Sequence, residues 1–144
     1  MKLKNTLLSL SLLAGIGYLM QASAEATTQS QIIAAEAIEN LVLVPGGSFQ
    51  LSYTPRGSLT TLDSFYMSKF KVTAGDVFYY ADLQGVELFS EKDLYLYEPL
   101  YDEVRKVPHV PGRANWEQAN NYCSWLGQLT GLKFALPTDA QWEY

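Results

Sequence analysis

The sequence predicts a mixed α+β fold, on three observations. Residues 41–72 read as short apolar strands separated by Pro/Gly turns. Residues 115–131 read as one amphipathic helix with a cap signal at each end. Hydrophobic residues make up 48% of the 144-residue chain and charged residues 17%, the balance of a protein with a buried core rather than of a disordered one. The length suits one small domain.

The first 24 residues read as an export signal. Lys2 and Lys4 form a positive start, Leu7 to Met20 is an apolar run, and Ala22-Ser23-Ala24 is the small-x-small pattern that signal peptidase reads. The run is shorter than the ~20 residues a membrane-spanning helix needs. The expectation is a signal peptide over 1–24, cleaved after Ala24. The mature protein is then exported, periplasmic or secreted, with no membrane attachment. Removing Lys2 and Lys4 leaves eight basic residues against fifteen acidic ones, a charge of about −7. That charge gives no basic face for nucleic acid and no attraction to anionic lipid.

Residues 25–40 read as a polar linker with a short helical stretch, in which Ile32, Ile33, Ala37 and Ile38 form a weak apolar face. A strand over Leu41 to Val44 leads into a turn at Pro45-Gly46-Gly47. Ser48 to Tyr53 resumes the strand pattern, and Pro55-Arg56-Gly57-Ser58 is a second turn. Leu59 to Leu62 and Phe65 to Val72 are strand-like, the latter alternating in polarity. Thr73 reads as an N-cap with Asp76 in the first turn, opening a helix over Ala74 to Leu83 that ends near Gly85. Val77, Tyr80, Ala81 and Gln84 share one of its faces.

Residues 86–107 mix acids with Tyr95, Tyr97 and Tyr101. This stretch reads as a surface loop whose tyrosines pack back on the domain. The alternative is an exposed binding or calcium-coordinating loop, but it lacks the ordered ladder of carboxylates of a calcium loop. His109 lies in a rigid Val-Pro-His-Val-Pro-Gly segment. It is the only histidine, and Cys123 is the only cysteine. One of each cannot build a zinc or copper site, which needs three or four ligands. No base stands paired with a serine, so a hydrolase triad is unsupported.

Asn115 and Gln118 form a capping box before the helix, and Gly131 fits its left-handed C-cap. Trp116, Ala119, Tyr122, Cys123, Leu126 and Leu129 give it an apolar stripe. Cys123 reads as a packing thiol, since neither a cation nor a helix N-terminus stands beside it to favour the thiolate. Trp125 either flanks the stripe or faces solvent. Leu132 to Leu136 is extended, and Thr138 with Gln141 opens a second capping box just before the final residues. A cap signal followed by so short a helix, which is marginal alone, makes residues 41–144 read as the N-terminal part of a larger domain.

Four ordered blocks carry a resemblance to the sulfatase-modifying-factor family, the formylglycine-generating enzymes and their relatives. LVLVPGGSFQLS at 41–52 resembles the family's opening, and LDSFYMSKFKVT at 62–73 its strand leading into Val-Thr. NWEQANNYCSWLGQLTG at 115–131 is similar to its Trp-to-Leu helix, and LPTDAQWEY at 136–144 to its LPTEAEWEY signature. The sequence departs from the pattern at Lys71, where Glu is usual, at Ala135, where Arg is usual, and at Gly112-Arg113-Ala114-Asn115.

The resemblance implies a C-type-lectin-like variant of the α+β class, incomplete at its C-terminus. It implies enzymes that oxidise a client sulfatase's cysteine to formylglycine with copper and oxygen, alongside relatives that join sulfur to histidine derivatives with iron. Further relatives are exported and have no demonstrated chemistry. The family's copper cysteines follow the LPTEAEWEY block, so none is carried over: no catalytic, cofactor-binding or metal residue is assigned, and Cys123 matches a packing position. Copper, with calcium as a second metal, is implied by the resemblance alone. The partner it implies is a client protein or peptide. The expected function is that of an exported formylglycine-generating-enzyme-like fragment, inactive by itself; the alternative is a non-catalytic binding or structural protein on the same fold.

Overall fold

The computed structural model describes residues 4–52, 57–88, 103 and 106–144. The chain divides into two compact units, Met1–Ile33 and Ala34–Tyr144. The described elements are helices and small antiparallel sheets, so the α+β expectation holds.

Helix α1 spans Lys4–Glu39. It runs on through residues 25–39, where the sequence suggested a polar linker with only a short helical stretch. Ala, Glu and Gln dominate that stretch and no Gly or Pro interrupts it, which favours helix throughout. On it Ile33 and Ala34 are buried, whereas Ile32 and Ile38 are exposed. At about 100° per residue those two isoleucines fall on either side of the Ile33–Ala34–Ala37 sector.

The front of the second unit is a single two-stranded ribbon in two pieces. Strand β1 (Leu41–Val44) pairs antiparallel with β4 (Phe65–Ser68), and β2 (Gly47–Gln50) with β3 (Leu59–Leu62). Both ladders keep one register: Leu41 faces Ser68, Val44 faces Phe65, Gly47 faces Leu62 and Gln50 faces Leu59. Lys69 N–H to Asn40 O (2.9 Å) and Leu51 N–H to Ser58 O (3.1 Å) extend that register at both ends.

Pro45-Gly46 is therefore not the chain reversal that its composition suggests. The strand passes through it and only the ladder is interrupted. Proline cannot donate to a ladder, and Gly46 lies against the opposite backbone. A Cβ at Gly46 would stand 2.7 Å from Asp63 C and Ser64 N and closer still to Leu62 O. The Gly46 N–H turns instead to Ser64 Oγ at 2.9 Å. Across the second ladder, the Ser48 and Thr61 hydroxyls bond at 2.7 Å.

The strand expected over Phe65 to Val72 stops at Ser68. There the Ser68 hydroxyl bonds the Phe70 carbonyl at 2.9 Å, a local side-chain turn that competes with the ladder. Of the turn expected at 55–58, Pro55 and Arg56 lie outside the described residues. So does most of the acidic, tyrosine-rich stretch 86–107, including Tyr95, Tyr97 and Tyr101.

Three further helices have described bounds. Helix α2 is Ala74–Gln84, α3 is Trp116–Thr130 and α4 is Asp139–Glu143. All three start on the expected caps, with Asn115 and Thr138 in complete capping boxes. Helices α2 and α3 end on Gly85 and Gly131, both in the left-handed region (φ 63° and 71°) where a Cβ is disfavoured.

Candidate functional site

Helices α2 and α3 meet through an aromatic contact. Ala74, Val77, Phe78, Tyr80 and Ala81 are buried on α2, and Tyr122, Trp125 and Leu126 on α3. Gln84, which the sequence allowed on the α2 face, is exposed. Tyr80 meets Tyr122 edge-on, with ring centroids 5.4 Å apart, and Trp125 at 5.3 Å. Trp125 also packs on Tyr122 (5.5 Å) and Tyr79 (6.4 Å). These tilted and edge-on geometries suit the ring quadrupoles.

Trp125 is thus a centre of the core and not a flank of the stripe. Trp116, placed in the stripe by its spacing, is 72% exposed. It sits about 120° around the helix from Tyr122, off the buried sector. Leu129 does fall on that sector but is 40% exposed.

Burial pushes the Tyr122 hydroxyl well above the ordinary tyrosine range, and the Asp76 carboxylate on α2 adds to the shift. Cys123 is half-buried at the edge of the same face, and its thiol is also pushed up, chiefly by burial. A raised thiol is a poor nucleophile and a poor metal ligand at neutral pH. Partial burial beside Tyr122 suits the packing role expected of Cys123.

The start of α2 is covered by the segment 107–112. Ala74 N–H donates to Val110 O (2.7 Å) and Gly75 N–H to Pro108 O (2.9 Å), while Gly112 N–H donates to Val72 O (2.8 Å). Asp76 N–H is satisfied by the Thr73 hydroxyl at 3.2 Å. The first three amides of α2 thus have partners, so this helix end offers no free anion site. The prolines and glycine of the segment now have a role. Pro108 lies against Gly75, and Gly112 lies against Thr73 and Val77, with no room for a Cβ at either glycine. His109 rides on this strap, exposed.

Helix α4 docks on the ribbon. The Tyr144 ring packs at a tilt on Phe49, with centroids 5.1 Å apart, its hydroxyl lies over Gly47, and Ser52 N–H donates to the Glu143 carboxylate. Beside it lies a shallow open depression of about 470 Å³ lined by Ser52, Asp139, Trp142 and Glu143. Trp142 is 70% exposed. The sequence alone does not reveal the depression, because Ser52 and Glu143 are 91 residues apart.

These residues do not fit copper, the metal that the resemblance implies. Among the described residues, no group of three or more His, Cys, Asp or Glu could hold a metal ion. His109 stands on the strap and Cys123 within α3, and among the described residues neither belongs to such a group.

No curated protein and no solved structure shows significant similarity to the chain. The family described as "Sulfatase-modifying factor enzyme 1-like domain" matches residues 27–144, which include the ribbon, the aromatic helix pair and the α4 signature. The chain belongs to that family.

Proposed function

We propose that the chain is an exported formylglycine-generating-enzyme-like protein whose residues 41–144 are scaffold, not catalytic centre, of a C-type-lectin-like variant domain. The carrying observation is the apolar surface left on a well-capped framework. Trp116, Trp142, Phe70 and Tyr66 are all exposed, and so is Leu59, at 73%. Monomers rarely leave so many large side chains in water unless another surface meets them. That surface supports a domain completed by further polypeptide, with any metal ligands and the client-binding groove supplied there.

Export rests on Lys2, Lys4, the apolar run and Ala22-Ser23-Ala24. Among the described residues no helix is long and apolar enough to cross a membrane. The test is the intact mass of the full chain after expression in a bacterial host. A product beginning at Glu25 and released by osmotic shock supports export; an unprocessed cytoplasmic product refutes it.

The same apolar surface favours a second reading, a non-catalytic protein that binds a partner polypeptide on this fold. Sequencing the gene past codon 144 separates the two. A frame that continues and supplies a cysteine pair makes these residues the scaffold of a copper oxidase. A frame that continues without one makes them part of a binding protein. The chain itself, given copper, oxygen and a cysteine peptide of sulfatase type, is expected to form no aldehyde. Formation of formylglycine by the chain alone would refute the scaffold assignment.

A further inference from the structure

We draw no further inference here: the strongest candidate, the shallow depression beside α4 lined by Ser52, Asp139, Trp142 and Glu143, rests on exposed carboxylates and an exposed indole, and nothing in the structure shows what covers it.

Discussion

Replacing Trp125 with alanine tests the aromatic helix pair. The indole is 7% exposed and touches rings from both helices. Truncating a buried aromatic to alanine costs about 3–5 kcal/mol, including the cavity it leaves. Against a total of about 5–15 kcal/mol for a domain, that removes a large share of local stability. At about 1.4 kcal/mol per factor of ten, amide exchange in the affected helices should accelerate by roughly two to three and a half orders of magnitude. The assay is hydrogen exchange of the full chain read on peptides covering 74–84 and 116–130. The peptide from α2 is the sensitive one, because it lies far from residue 125 in sequence and feels the change only through Tyr79 and Tyr80. Trp116→Ala is the control. As an exposed position it should move exchange by no more than about 0.5 kcal/mol. If the two variants behave alike, or if α2 is unaffected by Trp125→Ala, the packing argument fails.

Gly46→Ala places a Cβ against the backbone of residues 62–64 and should cost about 1–3 kcal/mol, seen as faster exchange across both ladders of the ribbon; unchanged protection over 41–50 would refute the close approach. Gln118 caps α3 through Asn115 and donates to Glu87 O at 2.9 Å, so Gln118→Ala should cost about 1 kcal/mol and speed proteolysis near Leu88. Gln118→Glu keeps the acceptor for the cap but loses the donor, so it should restore α3 protection and leave the proteolysis. Cys123 should alkylate slowly with iodoacetamide at pH 8 in the folded chain and faster in urea, since burial raises its thiol; equal rates would show an accessible thiolate. Cys123 and Tyr122 both lose their protons later when folded than when unfolded. Their contribution to stability is therefore complete below the ordinary values of 9.0 and 10.0 and is lost as pH rises through the folded ones, a loss that alkaline denaturation would register.

What the sequence made legible was local. Thr73, Asn115 and Thr138 announced three helix starts, and Gly85 and Gly131 two helix ends, because caps act within one turn of chain. The strands were placed to within a few residues, but their pairing was not. Pro45-Gly46 carries the composition of a reversal, and only the opposing Leu62–Ser64 backbone shows that the chain runs straight through. Trp125 failed for a related reason. A stripe counted by threes admits Trp116 and leaves Trp125 ambiguous, and only the position of Tyr80 on another helix decides which tryptophan is covered. Nothing about residues 41–44 or 65–68 alone distinguishes two hairpins from one interrupted ribbon.

The strap over α2 also sets where this chain can tolerate change. Leu88 is held at one end by Gln118, and residues 107–112 are held at the other by the first turn of α2. Both anchors are built from residues outside the interval between them. A single added residue inside 107–112 would shift three amide bonds at once. The strap is therefore a boundary that engineering of this chain should not cross.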